Sequence, residues 1–292
     1  MKKVSILFLL TLVLASFTFA IDGVGDFEIG VETAIPNVGG ANKSDPLVYV
    51  EPYIEFSRSF GAFGIAVTVD NYLEIDTDSD IDNPVYDELF LQVKPSYTID
   101  AGPGSLRFSL AIRPVFNLVN YGGDPEVWFD IDPVVKYTAD LFFLELGTDH
   151  LFIEKGADVV SDDYGVKVDQ LYFKAGVTLP FGLGIWVSPR FVFAKEANGF
   201  DSNRKPKNKN ADVFHSFRAD VSYDINETVS FGVEGRFRVG DYAKLDGHFI
   251  KPHVDLSFGA VAVWVAAEID GIGNDVDADP EITPVVGVSY KF

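Results

Sequence analysis

Strict alternation of apolar residues is the feature that most constrains this chain, and it is clearest in the last nine residues, 284–292. Strand side chains point alternately to opposite faces, so one face of this segment carries only apolar groups. These are Pro284, Val286, Val288, Tyr290 and Phe292. Apolar residues of one parity recur in segment after segment from Phe27 onward, which predicts an all-β chain.

About fourteen such segments follow one another between Asp22 and Phe292, and twelve or sixteen strands are the alternatives. Each segment covers about 9 to 13 residues, which suits a tilted strand that crosses a bilayer. Beyond residue 20, no apolar run reaches the roughly 18 residues of a membrane helix. If the chain meets a membrane, it therefore crosses as a closed barrel, the other structure that satisfies every backbone group in lipid.

The connections between these segments alternate between two lengths. Short turns are predicted at 59–62, 100–104, 138–140, 180–184, 224–227 and 259–260. Longer polar connections are predicted at 37–45, 71–85, 120–126, 149–167, 195–212, 240–247 and 270–281. Short turns on one side and long loops on the other are typical of transmembrane antiparallel up-and-down β-barrels. A soluble β-sandwich would bury the apolar face as a core, but it has no reason to shorten every second connection.

The first twenty residues have the three-part pattern of a secretory signal peptide. Two lysines precede an apolar run at 4–14, and small residues lead up to a cleavage site after Ala20. An uncleaved anchor helix is the alternative. We therefore assign residues 1–20 to a signal peptide and residues 21–292 to a single transmembrane β-barrel domain.

The last strand also carries a family signal, because the chain ends on an aromatic residue within an alternating apolar strand. In this respect it resembles the C-terminal strand of Gram-negative-type outer-membrane β-barrel proteins, such as porins. The resemblance implies that Tyr290 and Phe292 form the signal read by the barrel-assembly machinery. It also implies the outer membrane of a diderm bacterium as the location, with outer-membrane lipids as partners.

Charge and cysteine content narrow the choice of partners. The full chain has 23 Lys and Arg against 44 Asp and Glu. Without the two lysines of the signal peptide, 21 basic residues face 44 acidic ones, a net charge of −23. Nucleic acid is not an expected partner, because its binding needs a basic surface. The absence of cysteine excludes disulfides and thiolate metal sites.

A repeat inside the even-numbered segments points to the interior of the barrel. In each, one residue precedes a proline or alanine of the apolar face, so that residue faces the lumen. One of the seven is Thr283; the charged six are Glu51, Lys94, Asp132, Lys174, Arg218 and Lys251. The odd-numbered segments add Arg113, Glu145, Arg190, Glu234, Arg236 and Glu268. We predict that these twelve charged residues line the pore, that the seven pre-proline or pre-alanine positions lie at one height, and that the constriction is net positive. Ion pairs that merely fill the interior are the alternative.

Prolines inside these segments conflict with the predicted fold. Proline lacks the N–H that a β-ladder needs, and it is normally confined to edges or bulges. A closed barrel has no edges. We therefore expect either a row of bulges or prolines placed where the ladder bond is weak.

The sequence carries no strong catalytic or metal-binding motif. Outer-membrane phospholipases place a His and a Ser together on the lipid-facing wall, whereas His215 and Ser216 fall on opposite faces. Asp149 and His150, together with the acidic segment 76–82, are the candidates for a hydrolase site at the outer rim. We expect no cofactor, no metal and no catalytic residue.

The preferred function is that of a porin, which passes small hydrophilic solutes by diffusion. About eight strands fill their own interior with side chains, whereas sixteen to eighteen leave an aqueous channel, and fourteen lies nearer the second case. A structural or surface-interaction barrel with a plugged lumen is the alternative, and a hydrolase with a rim site is a minor one. A fourteen-stranded fatty-acid transporter is disfavoured, because that family has an N-terminal plug and few residues precede the first strand here. The solute and the oligomeric state stay open.

Overall fold

The computed structural model describes residues 25–35, 47–76, 86–120, 126–155, 164–193, 213–240, 243, 247–273 and 280–292, so the predicted signal peptide lies outside it. The described residues form fourteen strands. In chain order they are β1 (Asp26–Ala34), β2 (Leu47–Phe60), β3 (Phe63–Asp76), β4 (Tyr86–Ala101), β5 (Gly104–Asn120), β6 (Glu126–Thr138), β7 (Phe142–Lys155), β8 (Tyr164–Thr178), β9 (Leu183–Phe193), β10 (Val213–Asp224), β11 (Val229–Arg238), β12 (His248–Phe258), β13 (Val261–Ile272) and β14 (Glu281–Lys291). Within these ranges, no helix is long and apolar enough to cross a membrane.

The strands form one closed antiparallel barrel. Each strand pairs with its neighbours in sequence, and β1 pairs with β14 to close the ring. The closing seam runs from Glu28 opposite Lys291 to Ala34 opposite Val285. The predicted fold class, a closed up-and-down barrel of about fourteen strands, is confirmed. The strands are 9 to 17 residues long. Because the sheet closes on itself, none of them presents an unpaired edge to other chains.

Large apolar side chains cover the outer face of the barrel. Leu146, Phe231 and Val286 lie within strands and are 53%, 48% and 52% exposed. A soluble domain rarely leaves so continuous an apolar surface open to water, whereas a barrel wall that contacts lipid requires it. His215 is exposed on this outer face and its neighbour Ser216 is buried on the inner one, as alternation predicts.

Each even-numbered strand except β14 leads into the next strand through a tight turn. Gly61, Gly102 and Gly259 in these turns have φ angles of 62°, 63° and 64°. Glycine adopts this left-handed conformation without steric cost. An added Cβ at any of the three would meet no atom within 4 Å, so the backbone conformation and not the available space requires glycine. These turns all lie at one end of the barrel, in agreement with the predicted alternation of short and long connections.

Three strands, β3, β7 and β8, extend furthest beyond the limits expected from the apolar pattern. The observed limits are Asp76 for the end of β3, Lys155 for the end of β7 and Tyr164 for the start of β8. The loops predicted at 71–85 and 149–167 were therefore too long. In β3 the apolar series on the outer face is broken by Asn71, and this polar residue is why the sequence predicts a loop there. Its side-chain amide donates to Asp87 Oδ1 at 2.7 Å and to the Glu88 carbonyl at 2.9 Å, so the polar residue is satisfied and the strand continues.

The prolines lie on the outer face, and the β-ladder opens beside them. Between β2 and β3, the ladder skips two residue pairs beside Pro52 and resumes in the same register. Between β6 and β7, the register shifts between Asp130 and Val134, which is a bulge around Pro133. Gaps without a register shift also occur beside Pro95, Pro189 and Pro252. The barrel therefore uses both expected solutions, one bulge and several local gaps in the ladder.

Candidate functional site

The inner face of the barrel is the candidate site, because it lies opposite the exposed apolar side chains. Strand alternation places all twelve charged residues of the predicted pore lining on this face. Asp132 and Arg190 are nearly buried, at 9% exposed, and the other ten are half-buried. Arg218 and Arg236 lie directly opposite each other on β10 and β11.

The residues that precede the prolines do not lie at one height, contrary to the prediction. Lys174 lies four residues before the end of β8 at Thr178, whereas Glu51 lies nine residues before the end of β2 at Phe60. A strand rises about 3.3 Å per residue, so a difference of five residues moves a side chain about 16 Å along the strand. The distance from these residues to the turns therefore varies around the wall, shortest on β8 and longest on β2, because the stretches between proline and turn differ in length.

Carboxylates on neighbouring strands neutralise some of the predicted basic residues. Lys251 Nζ lies 2.8 Å from Glu268 Oε1. Arg113 Nη1 lies 2.9 Å from Asp130 Oδ2, and the Asp130 side chain is only 1% exposed. Ion pairs of this kind stabilise a buried charge because they replace its lost hydration. The alternative of interior ion pairs therefore describes part of the wall, and Lys251 is not a bare cation.

Arg190 binds two acceptors and rests on an aromatic ring. Its Nη1 donates to Asp149 Oδ2 at 2.6 Å and to Gln170 Oε1 at 2.8 Å. Its guanidinium carbon lies 4.9 Å from the centroid of the Tyr172 ring. Asp149, a candidate for a rim hydrolase, therefore serves as the partner of an interior arginine. The side chain of its proposed companion, His150, lies outside the described residues.

Charge is divided between two opposite walls. The acidic arc is the set of inward carboxylates on β1 to β3, namely Asp26, Glu28, Glu32, Glu51, Glu55, Asp70 and Glu74. No lysine or arginine with a described side chain points inward on these three strands. The basic arc is the set of inward cations on β8 to β11, namely Lys174, Arg190, Arg218, Arg236 and Arg238, interspersed with Asp220, Asp224 and Glu234. In a ring of fourteen strands, β9 lies seven strands from β2, so the two arcs face each other across the lumen.

A pocket of about 320 Å³ opens against the acidic arc. Its lining includes the carboxylates Glu32, Glu51, Glu268, Asp270 and Glu281 and the rings of Tyr49, Tyr72 and Phe249. The Tyr49 and Tyr72 ring centroids are 5.4 Å apart. Carboxylates and aromatic faces both attract cations, so this wall favours positively charged groups.

Aromatic rings on the inner face lie against glycines of the neighbouring strand. A Cβ added to Gly30 would stand 2.5 Å from Cε1 and Cζ of Tyr53, closer than non-bonded atoms approach. The Tyr53 hydroxyl donates to Glu28 Oε1 at 2.8 Å, which fixes the ring edge. The same arrangement places Phe143 over Gly176, Tyr172 over Gly147 and Trp264 over Gly287. Glycine thus lets large rings pack on the wall and keeps them away from the middle of the lumen.

Several interior charges were missed in the sequence, although the signal was present. Arg238 and Asp270 form an ion pair at 2.9 Å, and Trp264 Nε1 donates to Glu32 Oε2 at 2.7 Å. All of these residues have the parity opposite to the apolar face. They were missed because the prediction favoured the positions before a proline and a belt at one height.

Comparison with known proteins agrees with this architecture. No protein-family model and no curated protein matches the chain. Its structure is similar to that of the outer membrane protein Omp33 of Acinetobacter baumannii, with a TM-score of 0.51 and 11% identity over 93% of this chain and 100% of the other. The toluene transporter TodX of Pseudomonas putida gives a TM-score of 0.56 and 10% identity over 95% of this chain and 91% of the other. The CymD monoaromatic hydrocarbon channel gives 0.56 and 10% over 91% and 88%. These likenesses show the fold. The chain has the fold of outer-membrane β-barrel channels.

Proposed function

We propose that the protein is an outer-membrane porin, through which small hydrophilic solutes diffuse passively. The observation that carries the proposal is the polar inner wall, with its acidic and basic arcs on opposite sides. A wall of this kind lowers the free energy of water and of polar solutes inside the barrel. It filters by size and by charge, without a catalytic step.

Outer-membrane lipids and the barrel-assembly machinery are the partners that follow from this proposal. Support for the lipid contact comes from the exposed apolar outer face. Support for the assembly signal comes from the closing strand, where Phe292 packs on Phe27 with ring centroids 5.4 Å apart. The Phe292 N–H also donates to the Phe27 carbonyl at 2.8 Å, which joins the last residue to the first strand.

An apolar-solute channel fits the inner wall less well. TodX is named as a toluene transporter and CymD as a monoaromatic hydrocarbon channel. A hydrocarbon inside the barrel would displace water from the charged groups of the two arcs. Removing water from a charged group costs free energy, and a hydrocarbon offers no hydrogen bond in return. The arcs therefore favour hydrophilic solutes.

A structural barrel with a plugged lumen is the second candidate, and the interior ion pairs favour it. Arg113 with Asp130 and Lys251 with Glu268 resemble the paired charges that fill small closed barrels. Swelling of liposomes that contain the purified protein separates the two candidates. A porin lets arabinose enter and swell the liposomes, whereas a folded barrel that leaves arabinose excluded is plugged.

A further inference from the structure

Two arginines of the basic arc are unusual because they lie side by side without a carboxylate partner. Arg218 on β10 and Arg236 on β11 are register partners. Like charges directly opposite each other on neighbouring strands destabilise a sheet. By contrast, each of Arg113, Arg190 and Arg238 has a carboxylate within 2.9 Å. Within the part of the chain that the structure describes, no ion pair is formed by Arg218 or Arg236.

The nearest inward carboxylates, Asp220 and Glu234, form no ion pair with either arginine among the described residues. Asp220, two residues from Arg218 on the same strand, has its Oδ2 3.4 Å from His253 Nε2. Ser188 is the register partner of Arg218 on β9, and its buried hydroxyl has no hydrogen-bond partner among the described residues. The buried Nε atoms of both Arg218 and Arg236 also lack a partner there. These buried atoms do not reach the lumen, but the half-buried arginine side chains themselves lie on the inner face without a carboxylate partner in the described part of the chain.

Aromatic rings hold two cations of the basic arc against the wall, one beside the pair and one within it. Lys174 Nζ lies 3.7 Å from the centroid of the Trp186 ring. The Arg236 guanidinium carbon lies 5.7 Å from the centroid of Phe249. Cation–π contacts of this kind keep a cation against the wall without neutralising its charge. The arginine donors are thus fixed on the inner face and retain their full positive charge.

We propose that Arg218 and Arg236 form an oxyanion-binding subsite in the lumen, which takes the carboxylate or phosphate group of a solute in transit. Two adjacent guanidinium groups present forks of N–H donors, which match the oxygens of these anions. A bound oxyanion relieves the repulsion between the two arginines and accepts hydrogen bonds from their guanidinium groups. The subsite rests on the proposed porin function and adds a preferred class of solute to it.

Inorganic phosphate and acetate are suitable probes, used on the full-length protein in planar bilayers with potassium chloride on both sides. We expect either anion to reduce the chloride current in a saturable manner. Arg218→Gln or Arg236→Gln should each raise the half-blocking concentration about three- to tenfold, since a hydrogen bond to a charged group is weakened by water in the lumen. Arg107→Gln is the matched control, because Arg107 is an inward arginine on β5 whose Nη2 donates to Ser96 Oγ at 3.0 Å, far from the pair. It should leave the half-blocking concentration unchanged.

A second readout keeps the subsite testable when no current is seen. Phosphate should raise the temperature at which the detergent-solubilised barrel loses its compact electrophoretic mobility, because a ligand that binds the folded state stabilises it. The double variant Arg218→Gln/Arg236→Gln should fold at least as well, since the repulsion is removed, and should lose this phosphate effect. Open channels without anion block, or block that persists in the double variant, would overturn the subsite and leave the porin proposal intact. Silent channels with a phosphate effect on stability would overturn the porin function alone, and silence with no such effect would overturn both.

Discussion

The contact between Gly30 and Tyr53 predicts that Gly30→Ala destabilises the barrel when Tyr53 is present and stabilises it when Tyr53 is replaced by alanine. In Gly30→Ala, the new Cβ would stand 2.5 Å from two carbons of the Tyr53 ring. Carbon atoms rest at about 3.5 Å or more, so the ring has to move by about 1 Å away from the wall. That movement pulls the hydroxyl from Glu28, with which it now forms a 2.8 Å hydrogen bond.

The expected net effect is a loss of about 0.5–1 kcal/mol in the free energy of unfolding. A hydrogen bond to a charged acceptor contributes about 1.5–3 kcal/mol, and its partial exposure here places the loss near the lower end of that range. Replacing glycine within a strand recovers about 0.5–1 kcal/mol, because alanine loses less conformational freedom on folding.

A double-mutant cycle isolates the steric cause. In a Tyr53→Ala background the ring is absent, so Gly30→Ala should stabilise the barrel by about 0.5 kcal/mol or more. Urea unfolding of the four proteins in detergent micelles, followed by tryptophan fluorescence, measures both values. Equal effects of Gly30→Ala in the two backgrounds would refute the idea that glycine makes room for the ring.

Three further predictions concern an interior ion pair, the last residue of the chain and the signal peptide. Asp130→Asn leaves the Arg113 charge without its counter-ion and should lower the free energy of unfolding by about 1–3 kcal/mol in the same urea assay. This range is set below that of a fully buried pair because the Arg113 side chain is 25% exposed. An unchanged unfolding midpoint would show that this pair adds no stability. Deletion of Phe292 removes the contact with Phe27 and should lower the yield of heat-modifiable folded barrel, while the surviving channels keep their conductance; an undiminished yield would count against the assembly signal. Mass spectrometry of the membrane-extracted protein should find a mature N-terminus at Ile21, and an intact first residue would contradict the assigned cleavage.

The fold could be predicted from the sequence because the outer face of such a barrel has one simple requirement. Every strand must present apolar groups to lipid, so alternation appears in all fourteen, as at Val286 and Val288. Strand limits were less predictable. Asn71 interrupts the apolar series, but a cross-strand hydrogen bond to Asp87 satisfies it, and only the folded register reveals that partner.

The sequence predicts which side chains face the interior, but it does not predict which of them form ion pairs with each other. Parity alone places Lys251 and Arg236 on the inner wall. Which of them keeps a bare charge depends on the strand register and on side-chain reach, since Glu268 neutralises Lys251 at 2.8 Å. The expected ring at one height failed for a similar reason, because the number of residues between proline and turn differs among the strands.

The conductance of single molecules in a planar bilayer tests the central claim most directly. Protein whose folding has been verified by heat-modifiable mobility should insert in discrete steps of equal size, and the current through each step should rise in proportion to the voltage. Such steps are the direct sign of a water-filled lumen that small solutes can cross. Correctly folded protein that inserts and carries no current would contradict the account. The opposed arcs and the ion pairs of the interior would then only pack the inside of a plugged barrel.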